Sequence, residues 1–446
     1  MRLAVFTSKY PARVATFFER DMRALLEVGV AIDVFSIYPL DRGLWRYSLD
    51  IMDGDVLPPS RLHHIGLARS LWQAKPWRPR ELGVVLREGA AIGTAAARYG
   101  MGPLAKSLYV LPKAWAWAAQ HATGYDHVLA YWGNYAGSCA YLFHRLIDRP
   151  IPFSIWLHAG TDLYYRPIYL SQKLRYADAI LTCCEFNRAY IAEHYGDVAP
   201  GIAERVHVCY HGLDLSSFPY RPEGRPPRRI IAVGRLAKDK GFGYLLQAAR
   251  ALVDRGLDVE VDIVGDGHQL GALRALAAEL GIPDRVRFRG WLAFAEVRRA
   301  MSDATVLVHP SDGLGDGLPN VLREAMALGT PVIASRVAGI PEALDEGRCG
   351  LLVPPRDVAA LASALERLLG DAALRQTLAR LARRRTEEKF DMWRNGAQLA
   401  EHLQTIRRLP PAARSEAAAP QPLPGGRRGR APPRRAADTP AVRRAP

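Results

Sequence analysis

The segment from Ala304 to Leu344, ATVLVHPSDGLGDGLPNVLREAMALGTPVIASRVAGIPEAL, admits few folds. Thr305 to His309 is a short apolar, β-branched run that suits a buried strand. A loop rich in Gly and Asp follows, from Ser311 to Gly317. Pro319 stands where a first helical residue would, its missing N–H harmless there. Val321, Leu322, Ala325, Met326 and Leu328 make a helical stripe, which Gly329 is placed to stop. Pro331 to Ala334 opens a second strand. Strand, loop, helix and strand form one unit of a parallel α/β sheet, whose ligands bind at the carboxyl ends of the strands. The helix start leaves unpaired N–H groups over Gly317, Leu318, Asn320 and Val321, with Pro319 among them, a ready anion site.

Two acids flank that site, Asp316 in the loop and Glu324 more than a turn inside the helix. A carboxylate next to a bound phosphate does not hold it; it accepts hydrogen bonds from hydroxyls such as those of a ribose or a sugar. An acid, seven residues and a Glu, with GLPNV between and EAMALGTPVIA after, resembles the donor-site signature of retaining glycosyltransferases. The similar group is glycosyltransferase family 4 (group 1), including transferases of the exopolysaccharide and colanic-acid type. The signature normally starts with Glu; here Asp316 stands one methylene shorter.

The resemblance covers residues 1–407. It implies an α/β protein of the GT-B fold, two Rossmann-like domains facing across a cleft, with a C-terminal helix crossing back to the first. The expected limits are 1–218 for the acceptor-side domain, 219–229 for a linker, 230–389 for the nucleotide-sugar domain, 390–407 for the crossover and 408–446 for a disordered basic tail. Pro219, Pro222, Pro226 and Pro227 mark the linker, and Pro, Ala, Gly and Arg dominate the tail.

In the first half, Leu3 to Phe6 is a strand, a helix runs from Thr16 to Val28, and Ala31 to Ile37 is the next strand. No Gly-x-Gly-x-x-Gly fingerprint joins them, which argues against NAD. Asp53-Gly54-Asp55 lacks a preceding apolar strand and reads as a surface turn rather than a metal site. Residues 60–120 carry Arg61, Arg69, Trp72, Lys75, Trp77, Arg78, Arg80, Lys106, Lys113, Trp115 and Trp117. That pattern suits either a helix anchored in an anionic membrane interface or a solvated face with partly buried aromatics. His127 to Tyr131 and Pro152 to Leu157 are strands; the second ends in His158-Ala159-Gly160-Thr161-Asp162. A His there opens toward the other domain. By resemblance His158 touches the donor sugar, with Asp162 and Tyr131 on the acceptor side. Val206 to Cys209 is a strand leading into Tyr210-His211-Gly212-Leu213-Asp214, similar to an Asn-Gly-Val-Asp turn in relatives.

In the second half, Ile230 to Val233 ends in Gly234-Arg235-Leu236-Ala237-Lys238-Asp239-Lys240-Gly241. Glycines permit close approach, and Arg235 and Lys240 carry charge suited to a diphosphate. Gly265, after the strand Glu260 to Val264, resembles the wall around the nucleotide base. By resemblance Glu324 holds the ribose and Asp316 the donor sugar, while Arg235, Lys240 and the helix tip offset charge on the leaving diphosphate, work that a metal does elsewhere. The expected activity is metal-independent retaining transfer from a nucleoside-diphosphate sugar to a glycan or lipid-linked acceptor in surface polysaccharide assembly, with no cofactor. Rival readings are a sugar-nucleotide epimerase on the same fold and an inactive membrane-bound assembly protein.

The net charge of +15 divides unevenly. Residues 409–446 hold eight Arg against Glu416 and Asp438, so +6 lies there and +9 on the remainder. Such charge raises nucleic acid as a partner, but no nucleic-acid motif accompanies it, and sugar nucleotides or anionic lipid account for it equally. The five Cys show no metal or disulfide spacing, as in a reduced cytosol. No apolar run is long enough to span a bilayer, and Met1 to Phe6 reads as a strand, not a signal peptide. The expected location is cytoplasmic, with peripheral contact to the inner membrane face.

Overall fold

The computed structural model describes residues 1–10, 16–38, 57–74, 78–197, 199 and 201–406. Asp53-Gly54-Asp55, Lys75, Trp77 and the basic tail lie outside the described residues.

Two parallel sheets organise the chain. The first contains β1 (Arg2–Thr7), β2 (Ala31–Ser36), β3 (Leu62–His63), β4 (His127–Ala130), β5 (Phe153–Leu157), β6 (Ala179–Thr182) and β7 (Val206–Val208) in the order β3-β2-β1-β4-β5-β6-β7. The second contains β8 (Arg229–Val233), β9 (Glu260–Val264), β10 (Val286–Gly290), β11 (Val306–His309), β12 (Val332–Ser335) and β13 (Leu351–Val353) in the order β10-β9-β8-β11-β12-β13. Both orders reverse beside their first strand, between β1 and β4 and between β8 and β11. A crevice for ligands opens at such a reversal.

The strands are apolar on both faces because helices cover both faces of a parallel sheet. In β1, Ala4 and Phe6 enter one core with Phe35 and Trp117, while Leu3 and Val5 enter another with Met22, Leu25 and Leu399. Phe6 stacks on Phe35 with ring centroids 4.7 Å apart. Burying each such side chain contributes roughly 1.5–3 kcal/mol.

The helices that shape the cleft and its surroundings are α1 (Thr16–Glu27), α2 (Leu67–Gln73), α3 (Pro79–Ala97), α4 (Met101–Gln120), α5 (Asn320–Leu328) and α6 (Met392–Thr405). Helices α3 and α4 pack closely because Gly89 and Gly93 leave room for Leu104, Leu108 and Leu111. The basic and aromatic residues of 60–120 divide between core and surface. Trp115, Trp117 and Lys113 are buried; Trp115 Nε1 donates to Glu81 and Lys113 Nζ to the Ile37 carbonyl. They belong to the core, and only Trp72, in α2, remains as an exposed tryptophan of that set among the described residues. Among the described residues, no helix is long and apolar enough to cross a membrane.

Helix α6 returns to the first lobe, as the GT-B resemblance implies. It lies on α1 so closely that a Cβ on Gly396 would stand 2.3 Å from Ala24 Cβ. Leu399, Ala400 and Leu403 complete the core beneath α1. Between the lobes, residues 219–228 are fixed by Arg225, whose guanidinium donates to the carbonyls of Arg221, Met301, Ser302, Ala304 and Leu328. A second crossing lies beside the first, where Leu213 N donates to Phe390 O (2.7 Å) and Met392 N to Leu213 O (3.0 Å).

Candidate functional site

A cavity of about 240 Å³ lies between the carboxyl ends of the two sheets. The second lobe supplies Val233, Lys240, His309, Asp316 and residues 318–321; the first supplies Phe17, His158, Ala159, Cys183 and His211.

On the second-lobe side, β8 runs into a tight turn, Lys238–Lys240, closed by Gly241 at φ 67°. A Cβ on Gly241 would meet the Pro310 carbonyl at 1.9 Å, so no other residue lets this turn sit against the loop after β11. The turn delivers Lys240, whose ammonium pairs with Asp316 Oδ1. Burial pushes Lys240 down to about 8, with Asp239 raising it and Arg235 lowering it. Asp316 also meets His309, its Oδ2 2.9 Å from Nε2. Burial drives His309 down to about 3, so its ring is neutral at pH 7.

Helix α5 begins one residue later than its sequence pattern suggests. Pro319 has ψ 131° and caps the helix rather than joining it. The start of the helix still borders the cavity through Leu318, Pro319, Asn320 and Val321, all but the proline carrying an N–H. Arg323, fully buried, donates to Asn320 Oδ1 and, across the lobes, to the carbonyl of His211. Gly317, at φ 54°, is where the walls touch: a Cβ there would lie 2.9 Å from Ala159 Cβ and 3.1 Å from His158 O.

Five of the sequence-derived donor residues are not among those lining this cavity, Gly317 at its edge and four others. Glu324 is buried and accepts from Arg20 Nη2 of the first lobe at 3.1 Å. Arg235 is on the surface. Gly234 and Gly265 face each other instead, since a Cβ on Gly265 would sit 1.9 Å from Gly234 O. Gly265 is thus required by the approach of two strand ends, whatever else it does.

On the first-lobe side, His158 follows β5 and is buried, with neither ring nitrogen hydrogen-bonded among the described residues. Its Nδ1 is 3.7 Å from Asp162 Oδ2, too far for a hydrogen bond. Both Asp162 oxygens also lack partners among the described residues. Such buried, unsatisfied atoms are costly unless water or a ligand meets them. Asp162 and Tyr131 do not line the cavity. Tyr131 is fully buried behind His158, and its hydroxyl donates to Asp21 Oδ2 in α1.

The structure adds groups that sequence reasoning did not single out. Phe17 packs its ring 5.4 Å from His158 and 4.8 Å from His211. His211 places Nδ1 2.6 Å from Asp21 Oδ2. Its position just past β7 follows the strand-end logic that picked out His158, and that signal could have found it. Arg20 and Asp21 carried none, because their partners are 304 and 190 residues away.

Residues 227–371 match the family described as Glycosyl transferases group 1. The chain is 28% identical over 423 residues to the amylovoran biosynthesis glycosyltransferase AmsK of Erwinia amylovora, covering 91% of this chain and all of AmsK. It is 33% identical over 287 residues to the alpha-D-kanosaminyltransferase of Streptomyces kanamyceticus, covering 58% of this chain and 72% of that one. In structure it resembles HepE of Anabaena, solved in complex with UDP-glucose, with TM-score 0.64 and 17% identity over 91% of this chain and all of HepE. The chain belongs to the group 1 glycosyltransferases. It is a glycosyltransferase with the GT-B fold.

Proposed function

We propose that this glycosyltransferase takes its sugar from a nucleoside diphosphate, transfers it with retention of anomeric configuration and without a metal ion, and acts in assembly of a surface polysaccharide on a glycan or lipid-linked acceptor. One observation carries the reading: Lys240 and the open tip of α5 face the same cavity that His158 enters from the opposite lobe. A cation and a row of N–H groups suit a departing diphosphate, and a dry cleft strengthens both. AmsK, matched over its whole length, acts in amylovoran biosynthesis, and HepE holds UDP-glucose on a related fold.

In this reading the diphosphate rests on the α5 tip and draws Lys240 away from Asp316. Asp316 is then released toward hydroxyls of the donor sugar, and His158 contacts that sugar from across the cleft. Glu324 reaches the ribose once Arg20 shares it. Arg235 adds charge by swinging in from the surface, and Gly234 and Gly265 shape the strand ends beneath the base. Lobe closure excludes water from the assembled site. The exposed Leu67, Leu71 and Trp72 of α2, beside Arg69, support peripheral contact with an anionic membrane at the cytoplasmic face.

The test is a panel of UDP-, GDP- and ADP-sugars, screened by thermal shift and then by nucleotide release. One donor should stabilise the protein and be turned over in EDTA, and NMR of the product should show the donor's anomeric configuration kept. No stabilisation by any member, or turnover abolished by EDTA and restored by a divalent cation, overturns the reading.

A further inference from the structure

His211 is held more firmly than a turn residue needs. Its carbonyl accepts from Arg323, and the turn it belongs to is clamped under the crossover chain, where a Cβ on Gly212 would lie 2.0 Å from Met392 Cα. The ring lies nearly parallel to that of His158, with 7° between their planes and centroids 5.0 Å apart, and Trp156 stacks on it at 4.8 Å. Asp21 Oδ2 faces Nδ1 and also receives the Tyr131 hydroxyl. An oxygen accepting from both places the ring proton on Nδ1 and leaves a lone pair on Nε2. His211 is only 4% exposed, lines the cavity, and its Nε2 has no partner among the described residues.

We propose that Nε2 of His211 accepts a hydrogen bond from a hydroxyl of the donor sugar, with Asp21 as the residue that positions the ring. The inference rests on the proposed function, in which the diphosphate lies on the α5 tip. Because Arg323 ties His211 to that helix and both border one small cavity, the sugar next to the diphosphate is the hydroxyl-bearing group in reach. Phe17, against the same ring, offers an aromatic face to the sugar's C–H groups. Burial pushes His211 down to about 4 despite Asp21, so the ring stays neutral and Nε2 stays an acceptor near pH 7.

The experiment uses the full chain and the donor that the panel selects, with the matching bare nucleoside diphosphate as control. Asn and Gln separate the two ends of the imidazole. His211→Asn can keep a donor toward Asp21 but has no atom at Nε2; His211→Gln puts an amide oxygen near Nε2 and gives up the Asp21 contact. Both variants should bind the bare nucleoside diphosphate within about twofold of wild type, and His211→Asn should bind the sugar nucleotide about tenfold more weakly. Its turnover should fall on the order of 10²-fold, and His211→Gln should recover about tenfold of that loss while staying below wild type for want of Asp21. The opposite pattern, Asn tolerated and Gln impaired, makes His211 a structural partner of Asp21 and overturns the proposal. So do equal losses for sugar nucleotide and bare diphosphate. A wild-type protein that binds no member of the panel removes the underlying reading instead.

Discussion

The two walls of the cleft solve the same problem in opposite ways. On the second-lobe wall the charged groups near the cavity are paired: Lys240 and His309 with Asp316, Arg323 with Asn320 and the His211 carbonyl, Glu324 with Arg20. On the first-lobe wall, both ring nitrogens of His158 and Nε2 of His211 are buried with no hydrogen-bond partner among the described residues. The charges of one wall are paired without ligand and must exchange partners to bind one. The other is unsatisfied and gains from binding alone. In the proposed reading, affinity for the diphosphate is a difference between two pairings of Lys240, whereas sugar contacts from His158 and His211 break no existing hydrogen bond.

Four changes break or sharpen that contrast. The largest effect is expected for Lys240→Ala, which removes the cation from the paired wall. Nucleotide release should fall on the order of 10³-fold, with a lower thermal midpoint because Asp316 loses its buried partner; near-normal release would show that the α5 tip suffices. Asp316→Asn should split binding from turnover. Freed from its ion pair, Lys240 should bind the bare nucleoside diphosphate about tenfold more tightly by calorimetry, while turnover drops on the order of 10²-fold. Weaker diphosphate binding would mean that the pair does not compete with ligand. Gly317→Ala tests the point where the walls meet. A methyl at φ 54° against Ala159 and His158 should hold the lobes apart, lowering turnover about tenfold with the bare diphosphate still bound.

The smallest effect concerns pH. His309 is neutral in the folded state down to about 3 because it is buried, whereas the unfolded chain takes up that proton near 6.5. Between those values the unfolded state binds more protons, so stability falls as pH falls. His309→Asn should flatten this slope by up to about 1.4 kcal/mol per pH unit, read from urea unfolding at pH 6.5 and 4.5. Identical slopes in the two proteins would show that His309 is not held neutral.

What was legible in the sequence was local. The strand, glycine loop and amphipathic run around 305–328, and the Gly-rich basic turn at 234–241, each encode their own geometry within a few residues. Lys240, His158 and residues 318–321 accordingly converge on one cavity. What was not legible was anything decided by distant chain. Tyr131, just past β4, points into the core and toward Asp21 rather than to the cleft. Its neighbouring loop is pulled inward by the buried Lys173, which donates to the Gly133 and Asn134 carbonyls. Glu324 looked free because Arg20 comes from another lobe. Counting basic and aromatic residues over 60–120 could not separate Trp117, enclosed against Phe6 and Phe35, from Trp72 on the outside. A composition is shared by a whole segment, while burial is assigned face by face.

Arg225 has a consequence for how the lobes can move. By fastening residues 221–225 to the body of the second lobe, it removes the proline-rich connector as a pivot. Bending must fall on the stretch near Leu213, which the bridge to Phe390 and Met392 laces to the returning chain. Two strips stitched side by side behave like the leaves of a book on a single spine: they swing about one line and resist shear and twist.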